Sequence, residues 1–98
     1  MQLRDPDSTH ETLSVRITGK VQGVGYRAAT VRAAHQFRVR GWVRNADDGS
    51  VEALIQGQAD QVDRMLTWLR HGPPAARVVD VTHEEVQTER HFDRFEQI

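Results

Sequence analysis

The chain of 98 residues carries a net charge of −1 at neutral pH, with 38% hydrophobic and 28% charged residues. This length allows one compact domain with a single core, but not two. The absence of cysteine excludes disulfides, thiolate nucleophiles and cysteine-ligated metals, and no apolar run approaches the length of a membrane span. Residues 1–12 are polar and lack the apolar core of a secretory signal. We therefore expect a flexible polar tail over residues 1–12, one domain over residues 13–98 and a cytoplasmic location.

The first predicted elements are a strand, a glycine-rich turn and a helix. Apolar residues alternate with polar ones at Leu13, Val15 and Ile17, which is typical of a half-buried strand. The turn Gly19–Arg27 follows this strand. A helix that ends near Gln36 is then predicted from apolar and small residues at three- and four-residue spacing, namely Tyr26, Ala29, Ala33 and Phe37.

A hairpin is predicted in the middle of the chain. Its strands cover Val39–Arg44 and Val51–Gln56, and they flank Asp48-Gly49, which is a strong hairpin signal. We expect Gly57 to end the second of these strands.

A second helix and two further strands complete the chain. The helix is predicted from about Gln58 to the helix stop Gly72-Pro73-Pro74. A fourth strand is predicted around Val78–Val86 and a short closing one over Phe92–Ile98. The order β-α-β-β-α-β predicts an α+β fold of the ferredoxin-like split β-α-β type (βαββαβ), in which an antiparallel sheet carries two helices on one face.

The glycine-rich turn is a candidate anion-binding site. Three of the seven residues from Gly19 to Gly25 are glycine, which allows backbone N–H groups to converge on a ligand. A helix that begins near Gly25 adds unpaired N–H groups and the positive end of its dipole, and Arg27 adds a fork of donors. The candidate residues for binding an anion such as phosphate are therefore Gln22, Gly23, Val24, Gly25, Tyr26 and Arg27. The alternative is an ordinary turn between a strand and a helix.

Basic residues are concentrated in the part of the chain that holds this turn. Between Leu13 and Asn45 there are seven basic residues and no acidic one, whereas the chain from Ala46 onward has eleven acidic and five basic residues. The net charge argues against a general nucleic-acid-binding surface. The turn is nevertheless expected to lie in positive potential, unless neighbouring strands neutralise it in space.

Three other binding functions have weaker support. Gly23–Ala28 matches the dinucleotide pattern G-x-G-x-x-A, but Arg44-Asn45 stands where that site needs an acidic residue for the ribose. RNA recognition by this fold class needs aromatic residues on the central strands, and Leu13–Thr18 and Val51–Gln56 contain none. The five histidines show no paired spacing on one predicted face, so no metal site is predicted.

Asn45 is the candidate for a neutral catalytic group. It ends the second predicted strand, and in this fold that end can lie near the turn. An asparagine can orient a water molecule without placing a negative charge beside a bound phosphate. The alternative is that Asn45 is a turn residue, which is how we interpret Asp47 and Asp48.

Two motifs resemble those of the acylphosphatase family. The sequence GKVQGVGYR of Gly19–Arg27 is similar to G-x-V-Q-G-V-x-[FY]-R, and Gly41–Asn45 together with Asp48–Glu52 is similar to the second family motif. The resemblance continues through Trp68-Leu69 and Gly72–Val78.

This resemblance spans about Leu13 to Ile98, with mild departures. Lys20 stands where arginine is common. The closing F-x-I pattern is matched only loosely by Phe95–Ile98, which leaves the register of the last strand open.

The resemblance implies hydrolysis of a carboxyl-phosphate anhydride to a carboxylate and inorganic phosphate, with no cofactor and no metal. It assigns phosphate binding to Arg27 and the turn, and water positioning to Asn45. The expected partners are a small-molecule acyl phosphate and inorganic phosphate, with no nucleic acid and no membrane, and we expect a monomer. Two alternatives stay open: a non-catalytic phosphate- or nucleic-acid-binding module of the same fold, and a relative that acts on carbamoyl phosphate.

Overall fold

The computed structural model describes residues 10–98, which form one sheet and two helices. The elements in chain order are β1 (His10–Lys20), α1 (Tyr26–Phe37), β2 (Arg40–Asn45), β3 (Val51–Gln58), α2 (Ala59–His71), β4 (Arg77–Glu85) and β5 (Phe95–Gln97). The strands lie in the order β4-β1-β3-β2-β5. All neighbours pair antiparallel except β2 and β5, which are parallel. The ferredoxin-like α+β fold is thus confirmed, with the correction that the fifth strand makes the sheet mixed.

The core lies between the sheet and the two helices, which pack against each other and against the same face. The strands contribute alternate apolar residues, as the period-two pattern predicts. Fully buried side chains on the two sides of this layer include Val15, Ile17, Val43, Ile55, Met65 and Leu69. Each such side chain stabilises the fold by about 1.5–3 kcal/mol relative to exposure. No helix in residues 10–98 is long and apolar enough to cross a bilayer.

β1 begins earlier than predicted. His10, Glu11 and Thr12 pair with the end of β3, and Thr12 is buried, so the expected tail over residues 1–12 is wrong for residues 10–12. Residues 1–9 lie outside the described part of the chain. The strand extends through backbone pairing with β3 and a hydrogen bond from Gln56 to Thr12, which a search for apolar residues does not detect.

β3 does not end at Gly57, as expected, but continues through it to Gln58. Gly57 is buried, and a Cβ there would lie 3.5 Å from the Arg38 carbonyl oxygen. This is an ordinary contact distance, so a side chain would fit here, and Gly57 keeps the extended backbone of the strand and does not interrupt it.

Residues 86–94 connect β4 and β5, which lie on opposite edges of the sheet. The buried side chain of Gln56 fixes this connection. Its Nε2 donates to the Arg90 carbonyl oxygen at 2.7 Å and to Thr12 Oγ1 at 3.0 Å, and its Oε1 accepts from the Phe92 N–H at 2.9 Å. Because every polar atom of Gln56 is paired, its burial is tolerated, and the connection delivers β5 to the edge beside β2.

Candidate active site

The turn between β1 and α1 requires glycine for its backbone conformation. Gly23 has φ +75° and Gly25 has φ +77°, both in the left-handed region. Apart from the adjoining residues, no heavy atom of the described chain lies within 4 Å of the position that a Cβ would take at either residue. The requirement is therefore conformational, and the space over both residues is open to a ligand.

The backbone N–H groups of this turn are unpaired. From Gly23 to Arg27, none donates a hydrogen bond to another residue of the described chain. Gly25 is the N-cap of α1 and supplies no capping side chain, and the first turn of the helix holds no acidic residue. These donors and the positive end of the helix dipole form a site for an anion.

Two side chains of the turn are used to hold it in place. Gln22 Nε2 donates to the carbonyl oxygens of Ala46 and Ser50, at 2.8 Å and 2.9 Å, which connects the turn to the β2–β3 hairpin. The buried Tyr26 hydroxyl donates to the Leu69 carbonyl oxygen at 2.6 Å, and burial raises the pKa of this phenol. Both side chains are thus committed elsewhere, and these two residues have only their N–H groups to offer an anion.

Arg27 is half-buried and makes one polar contact within residues 10–98. Its guanidinium donates to the Ile98 carbonyl oxygen at 3.4 Å, and the Ile98 N–H donates to the Val43 carbonyl oxygen at 2.9 Å. β2 therefore orients Arg27 through Ile98. Most of the guanidinium donors stay available, since arginine carries five.

Asn45 lies between the two connections that join β2 and its hairpin to the turn. Val43, two residues before it, is linked through Ile98 to Arg27, and Ala46, directly after it, is linked to Gln22. The Asn45 side chain is exposed and has no hydrogen-bond partner in the part of the chain that the structure describes. The fold therefore brings an uncommitted amide to the same end of the sheet as the unpaired N–H groups.

The Acylphosphatase family model matches residues 13–97. The chain belongs to the acylphosphatase family. It is 62% identical over 97 residues to an acylphosphatase of Burkholderia lata, with 99% of each chain covered. The resemblance drawn from the two sequence motifs is confirmed.

Two solved acylphosphatase structures are similar to this family member. The protein from Coxiella burnetii has a TM-score of 0.88 at 33% identity, covering 94% of this chain and 96% of that one. The protein from Bacillus subtilis has a TM-score of 0.86 at 30% identity, covering 89% and 97%. The family name denotes an enzyme that hydrolyses acyl phosphates.

In this acylphosphatase family member, Asp48 closes the hairpin beside Asn45. Its Oδ1 accepts from the Ser50 N–H at 3.0 Å and from Ser50 Oγ at 2.6 Å, and its Oδ2 pairs with Arg16. The Ser50 hydrogen bonds, with Arg16, lower the pKa of Asp48 to about 2. The interpretation of Asp48 as a turn residue is confirmed, and the hairpin does not need the Asn45 side chain for that purpose.

The sequence did not reveal the role of Ile98. Its contact with Arg27 depends on the parallel pairing of β5 with β2, and the loose F-x-I match was the only signal for that register.

No group of three or more His, Asp or Glu side chains within residues 10–98 is arranged to hold a metal ion.

Proposed function

We propose that this member of the acylphosphatase family hydrolyses a carboxyl-phosphate anhydride to a carboxylate and inorganic phosphate. One observation carries the proposal. Unpaired N–H groups from Gly23 to Arg27, the Arg27 guanidinium and the uncommitted amide of Asn45 are held at one end of the sheet by the contacts of Gln22 and Ile98.

The turn and Arg27 bind the phosphoryl group in this proposal. Its equatorial oxygens carry the charge of the transition state, so fixed N–H donors and one guanidinium stabilise them without rearranging. Arginine suits this position because two of its N–H groups can engage two phosphoryl oxygens at once.

Asn45 positions the attacking water. Its side-chain carbonyl oxygen accepts a hydrogen bond from the water, and a neutral amide does not repel the phosphate. The water oxygen forms a bond to phosphorus as the bond from phosphorus to the acyl oxygen breaks, and the water's proton passes to a phosphoryl oxygen. The carboxylate is a good leaving group, so the step needs no general acid from the protein.

The test is turnover of benzoyl phosphate by the full chain, with and without EDTA. The proposal predicts metal-independent turnover that inorganic phosphate inhibits competitively. Bound phosphate without turnover would identify a non-catalytic module, and a strong preference for carbamoyl phosphate would identify the other alternative. Restoration of an EDTA-inhibited activity by a divalent ion would contradict the mechanism.

We also propose where this protein acts and what it binds. We expect a cytoplasmic monomer that binds neither nucleic acid nor membrane. Sedimentation at several protein concentrations tests the monomer, and fluorescence microscopy of a tagged chain tests the location.

A further inference from the structure

A second concave site lies at the end of the sheet opposite the turn. The cavity has a volume of about 720 Å³ and is lined by Arg38, Arg40, Arg94, His10, His35 and Asp93, among others. His10 is the first residue of β1, whereas the turn follows Lys20, the last of its 11 residues. At roughly 3.3 Å per residue, the two sites are about 30 Å apart.

The charged lining of this cavity is mainly basic. It contains three arginines and a single carboxylate, Asp93, although the whole chain has a net charge of −1. Neither Arg38 nor Arg40 forms an ion pair within residues 10–98. Arg94 pairs with Glu96 at 3.5 Å, and both side chains are largely exposed, so the pair is weak and a bound anion can replace it.

Arg38 occupies a backbone conformation that favours glycine. Its φ is +59° and its ψ is +40°, and it is the only non-glycine residue of the described chain with a positive φ. It is the C-cap of α1, a position that glycine closes with less strain. The helix dipole accounts for basic charge at Arg38 and His35, but not for Arg40 and Arg94, which lie on β2 and just before β5.

The start of α2 adds backbone donors to the same cavity. Gln58, its N-cap, and Gln61 line the cavity, and Gln58 makes no capping hydrogen bond through its side chain. The N–H groups at the start of this 13-residue helix and the positive end of its dipole therefore add to the arginine charges. Asp60 lies in this first helical turn, but it is exposed and does not line the cavity.

Arg40 is partly pre-positioned for a ligand. Its guanidinium lies 3.1 Å from His10 Nε2, where the arginine donates and the imidazole nitrogen accepts. Arg40 is half-buried, and so loses less freedom on binding an anion than a fully exposed arginine would.

From these contacts we propose that the cavity binds a small anion with two or more phosphoryl groups. The arginines come from two distant stretches of the chain, the α1–β2 junction and the residue before β5, and a cavity of this size is wider than one phosphate requires. A single-stranded nucleic acid is a poorer fit, because the lining contains no Trp or Tyr and its one Phe, Phe95, is buried, so it offers no large aromatic ring for base stacking. The inference does not rest on the proposed activity, since the two sites share no residue.

The test is a titration of the ¹⁵N-labelled full chain with inorganic pyrophosphate, in about 0.15 M salt and with inorganic phosphate present to occupy the turn. The proposal predicts shifts of the amides of Arg38–Gly41, Gly57–Gln61 and Arg94, with half-saturation below about 1 mM. Inorganic phosphate alone should shift these amides only at higher concentration. Shifts confined to the turn between β1 and α1, or tighter binding of a single-stranded oligonucleotide at the cavity, would overturn it.

Two variants keep the test independent of folding. Arg38→Gly removes a charge while relieving the backbone, so it should weaken pyrophosphate binding about fivefold or more and leave the unfolding temperature unchanged or higher. Arg40→Gln should weaken binding similarly. Arg32→Gln and Arg70→Gln, exposed helical arginines outside the cavity, should change it less than twofold. Equal weakening by all four variants, or none by Arg38→Gly, contradicts a specific site.

Discussion

The two ends of the sheet present positive potential in different ways. At the turn between β1 and α1, the side chains of Gln22 and Tyr26 hold the backbone, and unpaired N–H groups with one guanidinium face the solvent. At the opposite cavity, Arg38, Arg40 and Arg94 present their side chains directly. The donors at the first end are fixed by hydrogen bonds to neighbouring elements, whereas at the second end Arg38 and Arg94 are exposed and Arg40 alone is half-buried.

This difference bears on what each end can do. Fixed donors lower a transition-state barrier because they need no rearrangement during the reaction, whereas flexible charges lose freedom when they bind. Catalysis is therefore expected at the turn and simple binding at the cavity. Substitutions at the turn should change rates even where the side chain does not contact the ligand.

The largest effect is expected for Arg27, the charged side chain to which we assign phosphate binding. Arg27→Ala should lower kcat/KM for benzoyl phosphate by about 10³ or more, and Arg27→Lys nearly as much, because a lysine lacks the two-pronged geometry. The matched control is Arg32→Ala, an exposed arginine of the same helix, which should leave turnover unchanged. More than about a tenth of the activity in Arg27→Lys would show that the guanidinium fork is dispensable.

A loss of about 10² in kcat is expected for Asn45→Ala, since the attacking water then lacks its acceptor. Asn45→Asp should be equally inactive because its charge repels the phosphate. Steady-state kinetics measures both variants, with Asp47→Ala as the control from the same hairpin. If Asn45→Ala retained more than half of the wild-type kcat, the residue would belong to the turn only.

A smaller effect, about tenfold in kcat/KM, is expected for Gln22→Met. Methionine keeps the length of the side chain but loses both hydrogen bonds to the hairpin, so the turn and Asn45 are no longer held together. The free energy of unfolding should fall by about 1–2 kcal/mol. Gln36→Met, an exposed glutamine of α1, is the control. Unchanged kinetics with reduced stability would mean that the hydrogen bonds serve the fold alone.

The smallest effect concerns the hairpin itself. The pKa of Asp48 is about 2 in the folded chain, below its usual value of 3.8. Its carboxylate therefore stabilises the fold fully above about pH 4, and this contribution is lost as the pH falls through about 2. Asp48→Asn resembles the protonated acid. Urea unfolding should therefore show the variant less stable at neutral pH and equal to wild type near pH 2, with little change in kcat. A stability gap that does not depend on pH would contradict this reading.

Local sequence patterns predicted the parts of this structure that depend on local chemistry. The period-two pattern from Leu13 to Ile17 identified the centre of β1, and Gly72 ends α2 with a positive φ, as a helix stop predicts. The glycines in the sequence located the turn, and two of them, Gly23 and Gly25, adopt left-handed φ values in the structure. These features depend on residues close together in the chain.

Features that depend on distant residues were not predictable in the same way. The sequence pattern places Gln56 at the polar end of a strand. Its hydrogen-bond partners Arg90 and Phe92, however, come from a segment more than thirty residues later in the chain. The contact of Arg27 with Ile98 spans 71 residues and depends on the β2–β5 register. The uncommitted side chain of Asn45 could be recognised only once Asp48 was seen to close the hairpin.

The most direct test of the central claim is the inhibition constant of inorganic phosphate for Arg27→Ala and Asn45→Ala, measured beside their kcat values. In the proposed mechanism, Arg27 and the turn bind the anion and Asn45 positions the water. We therefore expect Arg27→Ala to weaken phosphate binding by at least about tenfold, whereas Asn45→Ala should keep the inhibition constant within about threefold of wild type despite its loss of turnover. If Asn45→Ala weakens phosphate as much as it slows turnover, the two roles are not separate and the proposed mechanism is wrong.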